Sequence, residues 1–144
     1  TVNVIVAQRL VRKLCPDCRK EYKMGEKELA VFKKNYDMDQ ILESLKKSEF
    51  FKGKIDAKSG WSDIKLFKAG GCEQCTEGYK GRLGLFEVLE MDEDIKKMIS
   101  QKASAEELDN KAREAGMISM IEDGFIKAAQ GVTSLEEILR VTKE

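Results

Sequence analysis

Four cysteines, arranged as two C-x-x-C pairs, constrain this chain more than any other feature of its sequence. The first pair lies in "LCPDC" and the second in "GCEQC", so the cysteines of the 144 residues are Cys15, Cys18, Cys72 and Cys75. Two such turns can place four sulfurs around one ion, and a tetrahedral thiolate set suits Zn²⁺. Because four protein ligands leave no open coordination position, the spacing predicts a structural zinc site, not a catalytic one.

Three other interpretations of the cysteines stay open. Four unrelated buried thiols are disfavoured by the paired spacing. A thioredoxin-like dithiol needs one reactive pair at a helix start, whereas this chain has two matching pairs. A tetrathiolate iron site uses the same ligands as zinc, so the cysteine pattern does not separate the two metals.

The long gap between the pairs is the main objection to a single site. Fifty-three residues separate Cys18 from Cys72, against about 15–20 in common zinc motifs. Lengthening a loop about threefold costs only about 1 kcal/mol of closure entropy. Structural zinc supplies on the order of 10–16 kcal/mol in small peptides. The gap can therefore hold an inserted pair of helices.

The apolar periodicity predicts strands in the first two thirds of the chain and helices after them. We predict strands over 4–11, 63–68 and 82–90, short helices over 26–36 and 39–47, and a loop between 50 and 61. Pro16 ends the first strand. From residue 91 onward the pattern indicates about four helices, in which Gly124 permits close packing.

The C-terminal helices also carry end signals. Two capping boxes are predicted, Ser104 with Glu107 and Ser134 with Glu137, in which the serine and the glutamate each satisfy a backbone N–H of the other. Gly116 and Gly131 stand where helices end in a left-handed residue.

These signals predict an α+β fold with three parts. Residues 1–14 form a terminal strand, and residues 15–90 form a zinc-ribbon-like tetracysteine element with short strands and a helical insertion over about 23–65. Residues 91–144 form a small helical bundle.

Composition excludes several kinds of chemistry. The chain has no histidine, so no Ser-His-Asp or Cys-His catalysis is available, and we predict no catalytic residue. It contains no G-x-x-x-x-G-K-[ST] phosphate loop, and the glycines of "GYKGRLG" do not follow the dinucleotide pattern. We expect that stretch to form a tight turn that presents Tyr79, Lys80 and Arg82.

Charge gives no general case for nucleic-acid binding. The formal net charge is zero, whereas such proteins tend to be basic. Basic residues do gather around the first cysteine pair. We expect Arg12, Lys13, Arg19 and Lys20 to offset the negative charge of a zinc tetrathiolate.

Three stretches in order carry a family resemblance: "AQRLVRKLCPDC", "GCEQC…GYKGRLGLFEVL" and "AREAGMISMIEDGFIKAAQGVTSLEEILRVT". Together they resemble the C-terminal part of the type II secretion and type IV pilus assembly ATPases, which are hexameric motors. The resemblance covers nearly the whole chain except residues about 23–65, where the gap between the cysteine pairs looks enlarged.

The resemblance implies functions beyond those of the cysteine spacing. It implies that the tetracysteine element binds zinc within an ATPase domain and that residues 1–14 are the last strand of its core. It makes Arg82 a candidate for nucleotide contact and Arg9 and Arg12 candidates for an interface. Because the family's nucleotide-binding motifs lie upstream of the matched region, ATP and Mg²⁺ would bind only to the parent protein.

The same resemblance sets the expected cellular context. The chain begins at Thr1 without an initiator Met, and we expect it to be part of a longer protein. The implied parent is a cytoplasmic homo-hexamer, peripheral to the bacterial inner membrane, that contacts an inner-membrane platform or recruiter protein and no nucleic acid. The alternative is a free-standing zinc-ribbon adaptor that binds protein or nucleic acid.

Overall fold

The computed structural model describes residues 1–143, and within them it contains four strands, six α-helices and one short 3₁₀ helix (Trp61–Asp63). The strands are β1 (Val4–Leu14), β2 (Lys20–Lys23), β3 (Lys65–Lys68) and β4 (Tyr79–Glu90). The helices are α1 (Glu26–Lys33), α2 (Met38–Lys47), α3 (Glu93–Ser100), α4 (Ala105–Glu114), α5 (Met120–Ala129) and α6 (Leu135–Thr142). This mixture confirms the predicted α+β class, and four of the helices follow residue 91 as expected.

The strands form two small antiparallel sheets that bring the cysteine pairs together. β1 pairs with β4, so that Arg12 lies opposite Arg82, and β2 pairs with β3. The first C-x-x-C connects β1 to β2, and the second connects β3 to β4. Each connection therefore passes from one sheet to the other at the same place, which explains how cysteines 53 residues apart can meet.

Two local predictions differ from the structure. The strand β2 was not predicted, because four residues are too few to show a clear alternation of apolar and polar side chains. The tight turn predicted to present Tyr79, Lys80 and Arg82 is wrong, because β4 already begins at Tyr79. The turn lies just before it and ends at Gly78, whose φ of 89° is left-handed.

The inserted helices and the C-terminal helices share one hydrophobic core. The Phe125 ring of α5 meets Phe32 of α1 edge-on at 5.9 Å between centroids and Trp61 at 5.5 Å. Trp61 also donates a hydrogen bond of 3.1 Å from its indole nitrogen to the Met38 carbonyl at the start of α2. The insertion is thus packed against the bundle instead of extending from it.

The two edges of the β1–β4 ribbon differ. On the β4 edge, Asp123 accepts from the Phe86 backbone nitrogen at 2.9 Å, and Lys127 donates to the Gly84 carbonyl at 2.7 Å. Helix α5 thereby covers that edge. Among residues 1–143 no second strand pairs with β1, whose exposed apolar side chains include Val4 and Val6.

Within residues 1–143 no helix combines the length and the apolar character needed to cross a bilayer.

Candidate metal centre

The four cysteine sulfurs lie in one cluster, all within 4.8 Å of one another. The separations are 3.9 Å between Cys15 and Cys72, 3.6 Å between Cys18 and Cys75, and 3.6 Å between Cys72 and Cys75. A tetrahedron with zinc–sulfur bonds of about 2.3 Å has sulfur–sulfur edges of about 3.8 Å. The donor set therefore fits a tetrathiolate ion, and the prediction that the two pairs form one cluster is confirmed.

Backbone hydrogen bonds hold the two turns in place. The Cys15 nitrogen donates to the Gly78 carbonyl at 2.9 Å, which ties the end of β1 to the start of β4. The Gly71 nitrogen donates to the Cys18 sulfur at 3.2 Å, as expected for a turn whose N–H groups face thiolates. Cys15 is buried, whereas Cys72 is exposed, so an ion can reach the site from the Cys72 side.

The thiols in this cluster influence one another's ionisation. Desolvation raises the pKa of Cys75, but hydrogen bonds with the Cys72 backbone and with the Cys72 and Cys18 side chains outweigh it and lower the pKa to about 7. At Cys72 a backbone hydrogen bond at Gln74 favours the thiolate, yet desolvation and hydrogen bonds to the other three cysteines raise the pKa to about 12. Cys75 therefore forms a thiolate more readily than Cys72, whose negative charge a bound cation would compensate.

A buried carboxylate, Glu137 of α6, lies at the centre of the neighbouring polar network. Its side chain is 1% exposed. It accepts three hydrogen bonds from Arg12, from the backbone nitrogen at 2.8 Å, from Nε at 3.0 Å and from the guanidinium NH2 at 2.7 Å. Arg140 adds two more, at 3.0 and 2.8 Å. Five N–H donors thus compensate the burial of one negative charge.

This network changes one sequence prediction. Desolvation would raise the pKa of Glu137, but hydrogen bonds from Arg140 and Arg12 lower it to about 2, so the side chain is ionised. The predicted capping box at Ser134 is half correct, because Ser134 accepts from the Glu137 nitrogen at 3.3 Å while the carboxylate turns to the arginines. Two guanidinium groups outcompete a single backbone N–H. The box at Ser104 is complete.

The basic residues around the first pair have varied surroundings. Arg12 is bound to Glu137 and lies over the Tyr79 ring at 4.2 Å. Arg19 donates to the Gly131 carbonyl at 2.6 Å and lies over the Phe67 ring. These contacts are made with groups other than the cysteines, and the expectation that the arginines offset thiolate charge stays a prediction. Lys13 and Lys20 are exposed.

The other candidate arginines lie on the β1–β4 ribbon. Arg9 donates a hydrogen bond to the Val141 carbonyl at the end of α6. Arg82 is exposed, and in residues 1–143 no carboxylate lies within ion-pair distance of its guanidinium. The roles predicted for Arg9, Arg12 and Arg82 at nucleotide or subunit contacts remain predictions.

The sequence does not predict the contacts that Glu137 and Tyr79 make beside the cysteine cluster. The Tyr79 hydroxyl is hydrogen-bonded to the Ser134 hydroxyl at 2.7 Å in a buried position. The only local signal at Glu137 is the S-L-E-E stretch, which by itself predicts a helix start. No local pattern connects it with Arg12, which is 125 residues away along the chain.

Comparison with known proteins covers nearly the whole chain. The sequence model of the family described as "Type II/IV secretion system protein" matches residues 1–140. The type IV pilus assembly ATPase PilB of Pseudomonas aeruginosa is 35% identical over 144 residues, which are 100% of this chain and 22% of that protein. The type II secretion system ATPase E of Vibrio cholerae is 35% identical over 141 residues, 97% of this chain and 23% of that protein.

A third relative matches over almost the same length of the chain. PilB of Thermus thermophilus is 35% identical over 141 residues, 97% of this chain and 13% of that protein. The chain spans about a fifth of the length of the first relatives it matches. Because the family model covers residues 1–140 and these relatives are 35% identical over 97–100% of the chain, the chain belongs to the type II/IV secretion system protein family.

Proposed function

We propose that this chain is the zinc-binding, C-terminal part of a hexameric ATPase that powers type II secretion or type IV pilus assembly, and that its role is structural. The observation that carries the proposal is the four-sulfur cluster, found in a chain that matches secretion and pilus ATPases along its length. Cys15, Cys18, Cys72 and Cys75 would hold the ion. When bound, Zn²⁺ cross-links the two turns and supplies no reaction chemistry.

The chain itself supplies rigidity and not ATP cleavage. It has no phosphate-binding loop and no histidine, so ATP and Mg²⁺ would be bound by other parts of a longer protein. The cluster joins the β1–β2 connection to the β3–β4 connection, and the shared core continues from there into α5 and α6. Movement of the ribbon would therefore be transmitted to the helices as a rigid unit.

The open edge of β1 supports the proposal that residues 1–14 belong to a larger sheet. Arg12 directs its N–H away from β4, to Glu137, and the alternation of an antiparallel ladder places the backbone groups of Val4, Val6 and Leu10 on the same outer edge. These side chains are about half exposed. Open apolar edges are usually covered in folded proteins, and a strand of the ATPase core would cover this one.

The proposed context follows from the family resemblance described above. The parent would act as a homo-hexamer in the cytoplasm, peripheral to the bacterial inner membrane, with a platform or recruiter protein as its partner. Arg82 is exposed on the ribbon surface, as a group that contacts nucleotide or a neighbouring subunit would be.

Replacement of one ligand tests this function. In the full-length protein, Cys72→Ser should abolish stoichiometric zinc and secretion or piliation, while nucleotide binding persists because the ATP site lies elsewhere. Glu73→Gln, on the same exposed turn, is the matched control and should retain both zinc and secretion. Zinc is measured by metal analysis, and function by secreted product or assembled pili.

Secretion at the wild-type level by a Cys72→Ser protein that has lost zinc would refute the proposal. Visible absorption of the purified protein would point to iron. Salt-dependent binding to DNA or RNA would favour the adaptor alternative.

A further inference from the structure

A short segment between α5 and α6 contacts the chain beside the cysteine pairs. We call residues 131–137 the anchor segment; it includes the first turn of α6. The Gly131 carbonyl accepts from Arg19, the residue after Cys18, at 2.6 Å. The Val132 carbonyl accepts from the Leu14 backbone nitrogen, just before Cys15, at 2.9 Å. Both ends of the first C-x-x-C turn are thus bound to one segment.

The anchor segment also binds the chain that follows the second pair. Ser134, the N-cap of α6, shares a buried hydrogen bond of 2.7 Å with the Tyr79 hydroxyl. Tyr79 in turn lies beneath the Arg12 guanidinium. The end of β1, next to Cys15, and the start of β4, after Cys75, therefore both contact the start of α6.

Glu137 holds these contacts together. Arg12 is bound by Glu137 through three donors, while its carbonyl accepts from Thr133 at 2.9 Å. Both the backbone nitrogen and the carbonyl of Arg12 are therefore held by the anchor segment, three residues before Cys15. Removal of the carboxylate would take away the partner of the Arg12 guanidinium and of the Arg12 backbone nitrogen at once.

We propose that Glu137 is a positioning residue of the metal centre, and that metal binding and the docking of α6 stabilise each other. The inference rests on the proposed zinc site and goes beyond it, because it names the group that sets the ligand geometry. Groups that orient ligands from outside the coordination sphere typically change metal affinity by about 10–100-fold. The coupling is reciprocal, so bound metal must also favour the docked helix.

The zinc affinity of matched variants tests whether Glu137 positions the metal centre. In the full chain, Glu137→Gln removes the charge with little change of shape, and Glu136→Gln removes the same charge from an exposed neighbour in the same helical turn. By competition with a chromogenic chelator, we expect Glu137→Gln to bind Zn²⁺ at least about tenfold more weakly than wild type. Glu136→Gln should stay within about twofold, as surface changes away from a site do.

Cobalt substitution separates positioning from general loss of stability. The ligand-field absorption of Co²⁺ depends on its coordination geometry. At saturating Co²⁺ the wild type and Glu136→Gln should share one spectrum, whereas Glu137→Gln should show shifted or weakened bands. An unchanged spectrum and an unchanged zinc affinity in a folded Glu137→Gln protein would overturn the inference.

Hydrogen exchange of the wild type tests whether metal binding stabilises the docking of α6, and it needs no variant. Removal of zinc with a chelator should speed hydrogen exchange of the α6 amides several-fold more than exchange of the α4 amides. The reason is that the hydrogen bonds described above join the cysteine turns to α6 and not to α4. This measurement decides the matter if Glu137→Gln does not fold. Equal effects on α6 and α4 would refute the coupling.

The two proposals fail in different ways. A wild-type chain that binds no zinc would overturn the proposed zinc site and the inference with it. A wild-type chain that binds zinc, together with a Glu137→Gln variant that binds it equally well, would overturn the inference alone.

Discussion

At the residue scale, Gly70 shows how closely the two cysteine turns approach. A Cβ atom built on Gly70 would lie 2.0 Å from the Cys18 carbonyl oxygen and 3.0 Å from the Cys18 carbonyl carbon. Both of these atoms are main-chain atoms, so no side-chain rotation relieves the overlap. The close contact between the turns is one that only glycine permits.

We therefore predict that Gly70→Ala will weaken zinc binding by at least about tenfold, because the methyl group pushes the two ligand pairs apart. The measurement is competition with a chromogenic chelator. Gly60→Ala is the control, since a Cβ at Gly60 meets no atom within 4 Å. Wild-type affinity in Gly70→Ala would show that the turns can separate without loss of the site.

The cysteine cluster and its Glu137 neighbour differ in how far they could be predicted. C-x-x-C spacing encodes a ligand pair within four residues, so the sequence predicted both halves of the site. Glu137 is defined by Arg12, 125 residues away, and its local sequence equally suits an ordinary capping box. Only the fold decides whether its carboxylate caps the helix or binds the arginines.

At the scale of elements, α5 and α6 pack through Gly124. A Cβ at this position would lie 3.1–3.3 Å from three side-chain carbons of Ile138. Ile138 is buried and β-branched, so its side chain has little freedom to move within a helix. The sequence predicted this close packing from the apolar stripe that surrounds the glycine.

We predict that Gly124→Ala will lower the free energy of unfolding by about 1 kcal/mol. Overpacking costs about 1–3 kcal/mol, which exceeds the gain of up to about 1 kcal/mol in helix propensity. Urea unfolding measures the difference. Ile138→Val removes one of the crowded carbons, so Gly124→Ala should lower the free energy of unfolding by less in an Ile138→Val background. A Gly124→Ala protein more stable than wild type would contradict the packing argument.

At the scale of the whole molecule, the aromatic cluster joins the insertion to the bundle. Trp61, the single tryptophan of the chain, contacts Phe125 of α5 and is bonded to Met38 of α2. Its fluorescence therefore reports on the packing between the insertion and the C-terminal helices. Because the buried side chains form one core, these regions should unfold together.

We predict that Trp61 fluorescence and far-ultraviolet circular dichroism will give coincident urea transitions. Phe125→Leu should move both transitions to lower urea together. We expect it to lower the free energy of unfolding by about 1–2 kcal/mol. Phe50→Leu, on an exposed ring of the same insertion, should change stability by less than about 0.5 kcal/mol. A fluorescence transition that precedes the loss of helix would show that the insertion unfolds by itself.

Taken alone, the sequence determined the α+β class, the tetracysteine site and most strands and helices. These features depend on spacing, alternation and caps that lie within a few residues of one another. The tertiary structure decided the partners of Glu137, the burial of Tyr79 and the sharing of one core by the insertion and the bundle. Each of these depends on which distant segments meet, and a buried charge or ring takes the partners that the fold brings to it.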